Sequence, residues 1–409
     1  MKVLWFTDTA SLYKKSLTTY NGSGWIESLE RIITSIDEIE LGISFFHNDE
    51  CFKSKQGNTT YYPLPLYNTI LKRLHHTLFY NKCDNKEVEF FMKVVNDFQP
   101  DIIHIFGSEK SYGLITYYTK IPVVIHIQGI LNPCINAYFA PGNNKFDLIK
   151  QYLFNPIKLF NSLKILKFFS YNAKRELEIL KNCKYFIGRT EWDKKVNLLY
   201  APDAKYFYCS EALRNEFYED FTWTKQQRNK INIVTTISKV PYKGFDLILK
   251  TANILKKSTN FDFTWDVFGI NEYKFWEKKL GINCKSVNVF MKGITDSLTL
   301  AKKIKDADIY VHPSYIDNSP NSVCEAQILG TPVIATFVGG IPTLIENNKT
   351  GILVPTNDPI YLAAKIIELS KNENNICLNL SQNARLTALK RHNRDGIISD
   401  LLAIYKSII

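Results

Sequence analysis

The chain has 409 residues, 45% hydrophobic and 22% charged, with 51 Lys and Arg against 40 Asp and Glu, a formal net charge of +11. That balance excludes a disorder-dominated chain, and the length exceeds what one core usually serves, so two domains of roughly 150 to 200 residues are expected. No run approaches the ~18 to 20 consecutive apolar residues of a membrane span, and the eight cysteines form no CxxC pair, which argues against a zinc site or a disulfide framework and for the cytoplasm.

In chain order, MKVLWFTDTA opens with a strand over 3–8 and no cleavable signal architecture. NGSGWIESLER follows, where Gly22, Ser23 and Gly24 open a helix over 24–36. That turn reads either as a phosphate- or sugar-facing element or as a tight strand-to-helix connection. Its GSG lacks the GxGxxG spacing, which disfavours a nicotinamide enzyme. Further strands are predicted at 41–46, 101–106, 122–128 (PVVIHIQ) and 185–189, with a helix at 87–98. Between Lys145 and Lys184, nine basic residues stand against three acidic ones, interleaved with FDLIKQYLF, IKLFNSL and ILKFFSY. Such a segment is either a solvated helix face or a surface for an anionic membrane, a phosphorylated substrate or nucleic acid.

A polar stretch, FYEDFTWTKQQRNK (217–230), suits a linker and sets the expected domains at 1–220 and 221–394. Strands then recur at 231–237, 263–269, 287–293, 308–314, 332–336 and 351–355, with helices between them. Continuous apolar strands separated by helices predict an α/β chain of two doubly wound, Rossmann-like domains facing across a cleft, with ligands at the carboxyl ends of the strands.

Two loops in the second half carry chemistry. INIVTTISKVPYKGFD is a strand followed by Lys239, Lys243 and Gly244 just ahead of an amphipathic helix, a weak phosphate-site signal without the Walker spacing. YIDNSPNSVCEAQILG places Asp317 and Glu325 on either side of a helix start, where the amides beside Asn321, Ser322 and Val323 would favour an oxygen-rich ligand. Both carboxylates can accept from sugar or ribose hydroxyls. Alternatively, Ser322 and Glu325 form an S-x-x-E capping box with a purely structural role. Asp306-Ala307-Asp308 has the form of a metal-binding DxD but lies at a helix-to-strand junction.

Together these stretches resemble the family 4 retaining glycosyltransferases of GT-B fold, of the bacterial cell-surface polysaccharide type. VHPSYIDNSPNSVCEAQILGTPVIATFVGGIPTLIENNKTGILVP resembles their donor block with D-x7-E in place of E-x7-E, and KGFDLILKTANIL resembles their KG helix. The resemblance covers most of 231–358 and, more loosely, MKVLWFTDT, GSGW, DIIHIFG and IPVVIHIQG. It implies a hexosyltransferase acting with retention and without a metal, whose co-substrate is a UDP- or GDP-sugar. By position, Asp317 would contact the donor sugar, with Asn318, Ser319 and Asn321 lining it. Glu325 would hold the ribose, Lys243 the leaving diphosphate, and the loop of Ser23 and Gly24 would approach from the other domain.

Several positions depart from the family pattern. Its usual arginine is replaced by Ile237 and Ser238, leaving Lys239 as the nearest cation, and its histidine position holds Gln128, with His126 two residues earlier. His126 and Gln128 share a strand face, so either can contact the transferred sugar, while a core histidine is the plain alternative for His126. The resemblance also implies that the last helix, 395–409, crosses back to the first domain. The acceptor would be a lipid-linked or growing cell-surface glycan, with 145–184 at the inner membrane face and no role for nucleic acid. The competing readings are a sugar-nucleotide epimerase of the same architecture and a noncatalytic nucleotide-sugar binding protein.

Overall fold

The computed structural model describes residues 1–13, 24–48, 52–65, 80–153, 155–219, 222–226, 228 and 230–409. Its β-rich runs form two sheets. Strands of the first are β1 (Lys2–Phe6), β2 (Glu40–His47), β3 (Ser54–Gln56), β4 (Thr59–Pro65), β5 (Ile102–Phe106), β6 (Val123–His126), β7 (Tyr185–Gly188) and β8 (Lys205–Tyr208). Those of the second are β9 (Ile231–Thr236), β10 (Phe263–Phe268), β11 (Val289–Gly293), β12 (Ile309–His312), β13 (Val333–Thr336) and β14 (Ile352–Val354). The chain divides into two units, one made of 1–135, 154–212 and 392–409, the other of 136–153 and 213–391.

In the first unit the order is β3-β4-β2-β1-β5-β6-β7-β8, parallel throughout except for the antiparallel edge strand β3. Strands β3, β4 and β8 were not anticipated from the sequence. Leu4 and Trp5 of β1 are both fully buried and serve opposite faces, Leu4 packing with Phe91 and Val95, Trp5 with Trp25 and Leu401. The final helix, Arg394–Ile408, belongs to this unit and buries Ile397, Leu401, Ile404, Tyr405 and Ile408 against β1. Each aliphatic side chain there contributes on the order of 1.5–3 kcal/mol. Trp5 Nε1 donates to the Tyr405 hydroxyl at 3.1 Å, which also meets His104 Nδ1 at 2.5 Å.

The second unit is a six-stranded, all-parallel sheet in the order β11-β10-β9-β12-β13-β14. Strand order reverses between β9 and β12, so the loops following these two strands diverge from a topological switch point, the standard place for a ligand in an open α/β sheet. Tyr310 and Val311 of β12 pack on opposite faces, with Val323 and Leu329 behind Tyr310 and Phe245 and Trp265 behind Val311.

Residues 136–153 group with this unit rather than with the first half of the chain. Ala140 is buried in its core, and Lys279 Nζ lies 2.9 Å from Asp147 Oδ2 on the helix Lys145–Tyr152. The basic stretch 145–184 is therefore divided: its first nine residues belong to the second unit and the helix Pro156–Asn182 to the first.

Candidate functional site

The two switch-point loops are tied together before any ligand is considered. After β9 the chain makes a short turn, Pro241–Lys243, and enters the helix Phe245–Ser258 through Gly244 at φ +79°. A Cβ at Gly244 would stand 2.0 Å from the Pro313 carbonyl oxygen at the end of β12. This glycine permits a close approach between the two loops. The Tyr315 amide donates to the Tyr242 carbonyl at 2.8 Å, and the Tyr315 hydroxyl donates to Asp246 Oδ2 at 3.0 Å.

This arrangement sets Lys243 beside Asp317, with Nζ 2.6 Å from Oδ2. His312 Nε2 lies 3.0 Å from the same oxygen, and the Ser314 hydroxyl donates to it at 3.3 Å. Burial acts to raise the Asp317 pKa, but the Lys243 charge and the His312 contact outweigh it and hold the carboxyl well below the ordinary carboxylate range. From the other side, the Gly340 amide donates to the Asp317 carbonyl at 3.0 Å. Gly339 has φ +51°, and a Cβ there would reach within 1.9 Å of that carbonyl oxygen. The Gly339-Gly340 turn is therefore the floor that fixes the Asp317 backbone.

The helix Asn321–Leu329 begins at Pro320 with no side-chain cap, so the S-x-x-E capping box is not formed. Glu325 instead accepts a two-pronged pair from Arg214, Nε to Oε1 at 2.8 Å and Nη2 to Oε2 at 2.9 Å. Burial pushes the Glu325 pKa up, and the Arg214 charge opposes that rise. Val323 fits the expected ligand role poorly. Its side chain is fully buried in the apolar core and its amide is taken by the Pro320 carbonyl, leaving the Asn321 and Ser322 amides as donors at the helix end. Asn318 and Ser319 are buried beside them. Ser238 and Lys239 are exposed on the loop after β9. In the DxD-like triplet, Asp306 faces solvent, while Asp308 is buried, accepts from the Asn232 amide at 2.9 Å and sits 3.7 Å from Lys225 Nζ.

In the first unit, His126 is a core residue. It is buried against Trp25, His104 and Phe106, with ring centroids at 5.3, 5.4 and 5.8 Å, and burial holds its pKa well below the ordinary value. Gln128, beyond the end of β6, is half-buried, and its Nε2 donates to the His126 carbonyl at 3.4 Å. Gly24 starts the helix Gly24–Ile33 at φ +55°, and a Cβ there would meet nothing within 4 Å among the described residues, whereas Ser23 lies outside them.

Sequence reasoning missed Arg214, His312 and Ser314. His312 closes an apolar strand, where a histidine is a readable signal; Arg214 lies in an irregular segment with no periodicity to flag it.

Two α/β units with these sheet orders define the GT-B fold. The likeness to a sucrose-phosphate synthase from Thermosynechococcus elongatus spans 99% of this chain and 98% of that one, at 15% identity and TM-score 0.73. The Anabaena protein HepE, solved in complex with UDP, aligns over 100% of both chains at 14% identity and TM-score 0.66. Residues 219–387 match the family described as "Glycosyl transferases group 1". The putative colanic acid biosynthesis glycosyltransferase WcaL of Salmonella typhimurium is 27% identical over 41% of this chain and 42% of its own length. A Staphylococcus aureus poly(ribitol-phosphate) alpha-N-acetylglucosaminyltransferase is 29% identical over 43% of this chain and 35% of its own. The chain thus spans less than half the length of these two curated relatives.

Proposed function

We propose that this protein is a glycosyltransferase that moves a hexose from a UDP- or GDP-sugar to a glycan or lipid-linked acceptor in cell-surface polysaccharide assembly, with retention of configuration. The observation that carries this reading is the Lys243–Asp317 pair at the switch point, in the loop that leads into the helix Asn321–Leu329 and its buried Glu325. Cleaving the bond to a nucleoside diphosphate builds negative charge on the β-phosphate, and a fixed cation there is worth more in the transition state than in the ground state. Lys243 can supply that charge without a divalent metal. Asp317, kept ionised, accepts from donor-sugar hydroxyls, and Glu325 accepts from the ribose. Of the two first-unit candidates for contact with the transferred sugar, we favour Gln128, since His126 is enclosed by aromatic rings.

The acceptor reading draws on the helix Pro156–Asn182. Ile157, Phe160 and Ile165 are 74%, 61% and 57% exposed, with Lys158 and Lys164 between them, Lys167 just after, and no acidic residue in the helix before Glu176. Exposed apolar side chains interspersed with lysines suit the surface of an anionic membrane, where a lipid-linked acceptor would be found. Among the described residues no helix is long and apolar enough to cross a membrane. We place the protein in the cytoplasm, peripheral to the inner membrane face.

The test is nucleotide release from UDP- and GDP-sugars, with and without extracts of lipid-linked glycan. Release that requires acceptor supports transfer. An epimerised nucleotide sugar in the absence of acceptor would overturn it in favour of an epimerase.

A further inference from the structure

Arg214 is not accounted for by the roles assigned so far. It is the second residue of the second unit after the chain crosses over at Ala212 and Leu213, and it is the partner of Glu325. The two carboxylate oxygens take parallel hydrogen bonds from Nε and Nη2, the bidentate geometry that fixes both the position and the plane of a carboxylate. The arginine is itself held from behind. Its guanidinium lies 4.7 Å from the centroid of Phe217, which is fully buried among Val323 and Leu329. The intervening turn Asn215–Phe217 is pinned by Ser297, whose hydroxyl donates to Glu216 Oε1 at 2.6 Å. The side chains of Glu325 and Arg214 are 4% and 26% exposed, so the carboxylate has little freedom to turn and its partner forms the more open side of the pair.

We propose that Arg214 is a positioning residue that orients the Glu325 carboxylate so that its remaining lone pairs are presented to the vicinal hydroxyls of the donor ribose. This deepens the reading of Glu325 given above and rests on it. A carboxylate offers about four acceptor sites, and a guanidinium fork occupies one on each oxygen, leaving one on each for a diol. Without the fork the group is a buried carboxylate lacking its counter-ion, free to rotate and driven by burial toward the neutral form, which accepts less well. A lysine cannot replace it, because an ammonium reaches the pair as a point charge and leaves the plane unfixed.

The experiment is calorimetric titration of UDP, GDP and their 2′-deoxy counterparts into wild type, Arg214→Met and Arg214→Lys, with folding checked by circular dichroism. In wild type, removal of the hydroxyl is expected to weaken binding of the preferred nucleotide about tenfold, one good hydrogen bond to a charged acceptor. In Arg214→Met that penalty is expected to fall below about twofold, with Arg214→Lys between the two. A merely structural arginine would lower stability and overall affinity while leaving the ratio between the two nucleotides unchanged. The full tenfold penalty in a folded Arg214→Met or Arg214→Lys protein overturns the proposal. Wild type binding neither nucleotide would overturn the donor-site reading. Wild type binding both forms equally would overturn only the Glu325–ribose contact. Either of these takes the Arg214 proposal with it.

Discussion

The pairing of Lys243 with Asp317 can be measured without knowing the substrate. Breaking a fully buried ion pair costs about 3–5 kcal/mol. Here the side chains remain 21% and 13% exposed, and His312 and Ser314 stay on the same Asp317 oxygen when the lysine is removed. The expected coupling is therefore lower, ~1–3 kcal/mol. It is read as the double-mutant cycle of Lys243→Met and Asp317→Asn in urea unfolding at pH 7. The pH dependence has a definite sign. The folded-state pKa of Asp317 is depressed, so its contribution is complete above the unfolded value, ~3.9, and is lost as pH falls through the folded value. The cycle repeated at progressively lower acidic pH should show a shrinking coupling. Additivity of the two substitutions within ~0.5 kcal/mol at pH 7 would refute the pairing on which the site is built.

Other consequences follow from the same geometry. Gly244→Ala places a methyl group 2.0 Å from a backbone oxygen at a left-handed φ, and should cost at least ~2 kcal/mol in unfolding experiments while reducing turnover through displaced Lys243. Phe160→Glu with Ile165→Glu should abolish co-sedimentation with anionic vesicles at low salt while leaving nucleotide binding unchanged; wild-type protein that ignores anionic vesicles would contradict the membrane reading. Burial raises the Glu87 pKa to about 6, against the Ser111 hydrogen bond, with Asp84 adding to the rise. Its contribution to stability is complete below the unfolded value and is lost as pH rises through about 6, so Glu87→Gln should flatten the stability profile between pH 4 and 7 by up to ~2 kcal/mol.

Much of the architecture could be read from apolar runs, because β1, β5, β6, β9, β12 and β13 are buried on both faces and leave continuous hydrophobic stretches. Strand β4, TTYYPLP, was hidden by Pro63 and Pro65, and β8, KYFY, by its short polar-aromatic alternation near the sheet edge. Lys243 was legible as a lysine and glycine between a strand and a helix, and Asp317 as a carboxylate eight positions before Glu325; that both loops follow strands where the sheet order reverses is seen only in the structure. Glu325 was recognised, but its partner was not: Ser322 is three residues away and suggested a cap, whereas Arg214 is 111 residues away and wins the carboxylate with two charged bonds. His126 follows the core-histidine alternative that the sequence left open. Strand parity put it on the same face as Gln128, but that face is covered by Trp25 and Phe106 at His126 and clears only beyond the strand end.

The central claim is that the second unit grips a nucleoside diphosphate through Lys243. Calorimetric titration of UDP and GDP into wild type and Lys243→Ala tests it most directly. The account predicts that wild type binds one of the two nucleotides and that the variant binds it ten- to a hundredfold more weakly, as expected for loss of a charged contact worth about 1.5–3 kcal/mol. Equal affinity in wild type and a folded variant would contradict it.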